Sequence, residues 1–121
     1  MNWVAIGVEF HQRTIAGWTR CLAGCSLTSL KSEEALNNGW EYIRKILNSE
    51  AISDLVITFT CKASDRKREV SRFWREVNGK YTIVRWDEKG NVIENLENQK
   101  VGARQVKALI AECMDILSEE A

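Results

Sequence analysis

The sequence lacks several features that would assign the chain to a class at once. It contains no apolar run approaching the ~18 residues of a membrane span, and its opening, MNWVAIGVEF, has neither the basic region nor the long apolar stretch of a signal peptide. No Gly/Ser-rich, repeated or low-complexity segment marks a linker. We therefore expect one cytoplasmic domain, residues 1–121, that makes no contact with a membrane.

The chain also lacks net charge. Seventeen Lys and Arg residues balance seventeen Asp and Glu residues, so no overall field attracts a polyanion. The charges are nevertheless arranged in blocks. Residues 62–85 hold eight basic and three acidic residues, a net charge of +5, whereas residues 108–121 hold four acidic and no basic residues, a net charge of −4. Any electrostatic attraction of a partner is therefore expected to be local.

Motifs for catalysis or cofactor binding are missing as well. His11 is the single histidine, and no Gly-x-Ser-x-Gly or similar surround marks a nucleophile. A phosphate-binding loop is not indicated either, because Gly17 and Gly24 are too far apart and no Lys-Ser/Thr pair follows them. We expect no cofactor, and a non-catalytic protein is favoured.

The chain has few cysteines, and their spacing does not favour metal binding. The four cysteines are Cys21, Cys25, Cys61 and Cys113. In a cytoplasmic protein they are expected to be reduced thiols. Cys21, Cys25 and Cys61 together with His11 could supply four zinc ligands, but the residues between Cys21 and Cys25 are typical of a strand rather than of a metal-binding turn. Buried thiols that pack as small hydrophobes are favoured, and no metal site is predicted.

Several segments show the period of two that is typical of strands. In NWVAIGVEF, alternate positions from Val4 to Phe10 are apolar, which predicts a half-buried strand. TIAGWTRCLAGCSL predicts one long bent strand or two short ones, antiparallel to the first. DLVITFTC predicts a central strand, and YTIVRW and NVIENL on either side of DEKG predict a hairpin.

Three other segments show helical spacing. Ser32 followed by two glutamates favours a helix start, with the helix running to about Asn48, and residues 106–117 carry a continuous apolar stripe. The third segment is SDRKREVSRFWREV, residues 64–77, which Gly79 would end. Its apolar residues Val70, Phe73, Trp74 and Val77 recur at i, i+3, i+4 and i+7.

These elements have the order ββαβαββα, with a possible third strand near the N-terminus. The order predicts an α+β domain with a mixed or mainly antiparallel sheet and with helices packed on one or both faces.

The helix predicted over residues 64–77 begins with three cations, at the end where unpaired backbone N–H groups carry a partial positive charge. Either Asp65 caps the helix while Glu69 and solvent screen the cations, or an anionic partner occupies the site. The second interpretation predicts a partner-binding or anion-binding surface. That surface consists of Arg66, Lys67, Arg68, Arg72 and Arg75.

The chain is rich in tryptophan, with five in 121 residues. Trp40 and Trp74 are predicted on buried helix faces. Trp3 and Trp86 are predicted on a second sheet face that the helices leave partly open, where large amphipathic rings favour an oligomer interface or a stacking platform. The alternative is that helices cover both faces and that all five rings belong to the core.

Together these features predict a small, non-catalytic accessory protein, a homodimer, that binds an acidic protein partner through the basic and aromatic segment 64–77. The first alternative is a nucleic-acid-binding protein, in which the same cations contact phosphates and tryptophans stack on bases, although the neutral overall charge argues against it. The second is a metal-dependent, nuclease-like enzyme that uses Glu9, Glu33 and Glu34. The end of DLVITFTC supplies no acid, and Asp65 follows late, which counts against such a site.

Overall fold

Six strands and two helices form the described part of the computed structural model, which comprises residues 2–27, 32–49, 51–63 and 66–120. The strands are β1 (Trp3–Thr14), β2 (Gly17–Ser26), β3 (Ile52–Ala63), β4 (Arg66–Arg75), β5 (Tyr81–Trp86) and β6 (Val92–Gln99), and the helices are α1 (Ser32–Leu47) and α2 (Ala103–Glu120). Neighbouring strands pair antiparallel in the order β2-β1-β3-β4-β5-β6. The α+β class predicted from the sequence is confirmed.

Alternating apolar residues place one face of β1 and β3 in the core. Ile6 pairs with Phe59 and Val8 with Ile57 across the two strands, and all four side chains are at most 3% exposed. Because side chains of a strand alternate between its two sides, these residues meet on one face of the sheet. β3 is the third of six strands, so its prediction as a central strand is confirmed.

Both helices cover this same face. Ile43 of α1 and Val106 and Ile110 of α2 belong to one buried cluster with the core residues of β1 and β3. Within the described ranges no helix packs on the opposite face, which we call the open face. Neither described helix combines the length and the apolar character needed to cross a membrane.

The helix predicted over residues 64–77 is wrong, because residues 66–75 form the strand β4. β4 pairs with β3 on one side and with β5 on the other. The ring of Phe73 is fully buried, with the ring centroids of Phe59 and Tyr81 at 6.0 and 5.6 Å. Long-range pairing and aromatic packing therefore outweigh the local helical spacing. Asp65, the predicted cap, lies outside the described residues.

A β-bulge explains part of the helical spacing in the sequence of β4. The consecutive residues Phe59 and Thr60 pair with Ser71 and Glu69, so Val70 is an extra residue on β4. At such a bulge the alternation of side chains is interrupted, and Val70 and Ser71 are both fully buried. This interruption explains why the buried residues Val70 and Phe73 are three positions apart. The other two residues of the apparent helical stripe do not share their environment, since Trp74 lies on the opposite face and Val77 is exposed in the next turn.

Tight turns follow β4 and β5. The first contains Val77, which is fully exposed rather than buried in a helix stripe, and Gly79, whose φ of 82° suits glycine in a turn. The second contains Gly90 with a φ of 83°, and it joins β5 to β6 as the hairpin that the sequence predicts.

The carboxylate of Asp87 is expected to make the second turn sensitive to acid. Its Oδ1 accepts hydrogen bonds from the backbone N–H groups of Asn91 at 2.8 Å and Lys89 at 2.9 Å, and these bonds, that of Asn91 first, hold the pKa of Asp87 below its usual range. A lowered folded-state pKa stabilises the fold above the unfolded pKa of about 3.9, and this contribution is lost as the pH falls through the folded-state pKa.

Asp87→Ala should therefore lower the melting temperature more at about pH 7 than at about pH 2.5, because the stabilising contribution of the carboxylate is lost as the pH falls through its folded-state pKa. Thermal unfolding of both proteins followed by circular dichroism measures the two differences. An equal difference at both pH values would show that the charge of Asp87 does not stabilise the turn.

Candidate functional site

Strand alternation divides the predicted site cations between the two faces of the sheet. The five cations Arg66, Lys67, Arg68, Arg72 and Arg75 all belong to β4. Arg66, Arg68 and Arg75 lie opposite buried core residues of the neighbouring strands, on the side of the helices. Lys67 and Arg72 lie on the open face. The five cations therefore do not form the single surface that a helix would have given them.

Two of the arginines on the helix side bind the backbone of the protein itself. Arg75 donates a hydrogen bond from Nη2 to the carbonyl oxygen of Leu47 at 3.3 Å, at the C-terminal end of α1, where a cation complements the helix dipole. Its Nε donates to the hydroxyl of Tyr81 at 3.1 Å. Arg68 donates from Nη2 to the carbonyl oxygen of Trp86 at 3.1 Å. We interpret Arg68 and Arg75 as stabilising residues.

Two tryptophan rings on the open face each have a cation against them. Nζ of Lys67 lies 5.9 Å from the ring centroid of Trp3, and Cζ of Arg72 lies 5.9 Å from that of Trp86. Both rings are half-buried, so part of each remains accessible. A cation–π contact at an exposed site contributes about 0.5–1 kcal/mol. Of the residues predicted from the sequence, the structure thus brings Trp3, Trp86, Lys67 and Arg72 to one face.

Arg72 is held in place by the carboxylate of Glu69, which the sequence analysis named only as a residue that screens the cations. Its Nε and Nη2 donate to the two carboxylate oxygens of Glu69 at 2.8 and 3.1 Å. These bonds are the main reason that the pKa of Arg72 is raised. Strand alternation counted from Lys67 places Glu69 on the same face, and one extra residue at a bulge places Arg72 there as well. This is the sequence signal that could have placed Glu69 and Arg72 on one face.

Trp74 is a second correction, because it is on the open face and not on a buried helix face. It pairs with Val56 of β3 and is half-buried. Its indole N–H donates to Oε1 of Glu76 at 2.7 Å, and the hydroxyl of Thr82 donates to the same oxygen at 3.0 Å. Trp40 packs against the core as predicted, whereas Trp18 is 56% exposed, so the five rings do not all belong to the core.

Beside Arg72 the open face contains a shallow depression of about 270 Å³. Gly7 helps to form it, and a Cβ at Gly7 would lie 2.5 Å from the hydroxyl oxygen of Thr58, so the backbone of β1 and this side chain approach closely. Leu22, which is 71% exposed, and Glu9 line the rim. The volume is below the ~300–1,000 Å³ that is typical of small-molecule sites. It suits a single side chain of a partner.

A pair of opposed lysines adds positive charge to the open face. Lys62 and Lys67 lie directly opposite each other on β3 and β4. Like charges in this position destabilise a pair of strands. Within the described ranges neither lysine forms an ion pair.

The acidic residues of the nuclease-like alternative are far from forming one site. Glu9 is on the open face, at the rim of the depression, whereas Glu33 and Glu34 are exposed in the first turn of α1, on the side of the helices. Asp65 lies outside the described residues. Among the residues that the structure describes, no three His, Cys, Asp or Glu side chains are grouped closely enough to hold a metal ion.

The thiols and the histidine occupy separate environments. Cys61 and Cys113 are buried, whereas Cys21 and Cys25 on the edge strand β2 are only half-buried, so the prediction of core thiols holds fully for the first two. Burial raises the pKa of Cys25 and of Cys113. His11 is bound instead to an acid, with its Nδ1 at 3.0 Å from Oδ2 of Asp54.

Comparison with known proteins gives no match of any kind: no family model, no curated protein and no solved structure is similar to the chain. A functional proposal therefore depends on the geometry of the open face.

Proposed function

We propose that the protein is a non-catalytic binding protein that engages an acidic protein partner through the open face of its sheet. The observation that carries the proposal is the pair of tryptophans, Trp3 and Trp86, each with a cation against its ring on a face that no described helix covers. Tryptophan and arginine are enriched at protein interfaces and dominate their binding energy. This composition is typical of one side of a protein–protein interface.

Electrostatics favours an acidic partner. Lys62 and Lys67 are opposed on the open face without an ion pair among the described residues. A carboxylate that contacts both would remove their mutual repulsion and gain two charge-assisted hydrogen bonds. The nearby depression, with Arg72 at its edge, would receive one further side chain of the same partner.

Nucleic acid remains the second candidate, because cations beside tryptophan rings also suit phosphates and stacked bases. The neutral overall charge of the chain argues against it, since nucleic-acid-binding domains typically carry a surplus of basic residues. The homodimer stays a prediction, and sedimentation equilibrium of the purified chain tests it.

Site-specific photo-crosslinking in cells that express the protein tests the proposal. Thr60 lies on the open face opposite Ala5 and Glu69, so a photoreactive amino acid at this position should capture a protein. The same amino acid at Asn37, which is exposed on α1, should not capture that protein. Capture of nucleic acid from Thr60 would support the second candidate instead, and no specific capture from Thr60 would contradict both.

Lys67→Glu should weaken binding of the captured partner about tenfold or more, because it replaces an attraction by a repulsion on the open face. Lys89→Glu is the matched control, since it makes the same change of charge at an exposed position in the β5–β6 turn, and it should leave the affinity within about twofold. Isothermal titration calorimetry measures both dissociation constants. Equal effects of the two substitutions would place the contact elsewhere.

A further inference from the structure

A larger recess lies on the other side of the sheet, between α2 and the edge strand β6. We call it the β6–α2 groove, and its volume is about 570 Å³, within the ~300–1,000 Å³ of typical ligand sites. Residues 100–102 join the two elements directly, so α2 runs back along β6. Gln99 and Gln105 line the groove near this connection, and Glu94 and Glu112 line it farther away.

The groove has an apolar floor and an acidic rim. Ile83 and Leu109 are buried beneath it, and Leu96 is 38% exposed. The charged side chains that line it are Arg85, Glu94, Glu112 and Asp115, three acids against one base and hence a net charge of −2. Arg85 is bound to Glu112 by hydrogen bonds from Nε at 3.0 and 3.1 Å, and its Nη1 lies 3.5 Å from Glu94. The charge of Arg85 is therefore neutralised by acids of the groove itself, and the net charge of the groove is negative.

The backbone beside the groove can accept another strand. β6 is at the edge of the sheet, so among the described residues one side of its backbone has no strand partner. Its pairing with β5 is regular over residues 94–96 and shifts register on both sides of this stretch. Asn98 has a φ of 56° and is therefore not extended. The extended edge over residues 94–97 spans about 10 Å at ~3.3 Å per residue, which limits an added strand to about four or five residues.

We propose that the β6–α2 groove binds a short, basic, extended peptide segment of a partner as an added strand beside β6. Because successive side chains of a strand point to opposite faces, only every second side chain of the peptide faces the groove. An apolar side chain at the middle of the peptide enters the groove, and a lysine or arginine two residues before and after it contacts the acidic rim near Glu94 and Asp115. This is recognition by strand addition, in which the backbone supplies affinity and alternate side chains supply specificity. The site lies on the opposite side of the sheet from the open face, so it stands independently of the function proposed above.

A second copy of the chain fits the edge of β6 less well than a basic peptide does. If β6 paired antiparallel with itself about residues 95 and 96, Glu94 of each copy would lie opposite Glu97 of the other. Like charges directly opposite each other on paired strands are destabilising. A basic segment replaces this repulsion by attraction.

Binding of defined peptides to the full chain tests the proposal, with fluorescence anisotropy as the measurement. The probe is fluorescein-labelled Lys-Thr-Leu-Thr-Lys-amide, whose leucine and two lysines lie on one face of a strand. The acidic peptide Glu-Thr-Leu-Thr-Glu-amide should bind at least about tenfold more weakly because of like-charge repulsion. A Lys-Thr-Leu-Thr-Lys peptide with N-methyl groups on alternate amides should also bind about tenfold more weakly, because it cannot donate to the edge of β6.

Two matched pairs of variants on α2 localise the contact. Asp115→Lys in the groove should weaken binding about tenfold, whereas Glu119→Lys, exposed on the same helix and outside the groove, should change it by less than about twofold. Ala108→Trp should fill the groove and abolish binding, whereas Ser118→Trp should not. Circular dichroism confirms that each variant is folded.

Four outcomes would overturn the proposal. The first three are equal binding of the acidic and basic peptides, no effect of N-methylation on affinity, and equal losses of affinity in the two lysine variants. The fourth is self-association of the chain that Ala108→Trp abolishes. The last outcome would assign the groove to a second copy.

Discussion

Phe73→Ala is expected to lower the free energy of unfolding by about 3 to 5 kcal/mol, which is the usual cost of removing a buried aromatic ring. Phe73 is fully buried in the middle of the sheet, against the rings of Phe59 and Tyr81. Both neighbours belong to paired strands whose backbone cannot move into the space without breaking the pairing. The cavity should therefore persist. Urea denaturation at about 25 °C measures the loss.

Val77→Ala is the control that makes this experiment informative about the fold. In the helix predicted from the sequence, Phe73 and Val77 would lie on the same buried stripe, one turn apart. In the structure Val77 is fully exposed in the turn after β4, so its replacement should change stability by no more than about 0.5 kcal/mol. A loss above about 1 kcal/mol at Val77 would favour the helix over the strand.

Gly39→Leu is expected to destabilise the protein by about 3 kcal/mol, through overpacking rather than through a cavity. Gly39 is buried in the middle of α1. A Cβ at this position would collide with Cδ1 of Ile110 and would lie 3.3 Å from Cδ1 of Ile6 and 3.5 Å from Cδ1 of Leu27. A leucine side chain would extend farther into this junction of α1, α2 and β1. Denaturant unfolding should show the loss as a lower midpoint with an unchanged slope.

Alanine at two adjacent positions of α1 separates packing from helix propensity. Alanine in place of glycine favours a helix interior by about 1 kcal/mol, so an exposed site would gain from the change. At Gly39 the contact with Ile110 opposes this gain, and Gly39→Ala should bring no stabilisation. Asn38→Ala, at an exposed position of the same helix, should stabilise by a few tenths of a kcal/mol. Stabilisation by Gly39→Ala of about 1 kcal/mol would show that the junction has free space.

If both proposals hold, the two sides of the sheet bind partners of opposite charge. The open face presents the opposed Lys62 and Lys67, and the β6–α2 groove presents a surplus of acid around Glu112 and Asp115. The net charge of zero does not reveal this separation, because net charge does not depend on the face to which each side chain points.

The residues proposed for the open face were only partly predictable. Trp3 and Trp86 could be placed on a second face of the sheet because their strands keep a regular alternation at those positions. Lys67 and Arg72 were predicted as site residues, but in the company of Arg66, Arg68 and Arg75, which point to the other side. The opposed pair of Lys62 and Lys67 could not be predicted, since it depends on the register between β3 and β4.

The sequence by itself determined the elements whose local pattern and long-range contacts agree. β1, β3, the β5–β6 hairpin and both observed helices follow from alternation, from turn glycines and from apolar stripes. Only the tertiary structure decided the conformation of β4. The bulge at Val70 separates Val70 and Phe73 by three residues, as in a helix, while pairing with β3 and β5 makes the strand more stable. The tertiary structure likewise decided that both helices pack on one face and that α2 lies beside β6. Those arrangements depend on contacts between residues far apart in the chain, which no local pattern records.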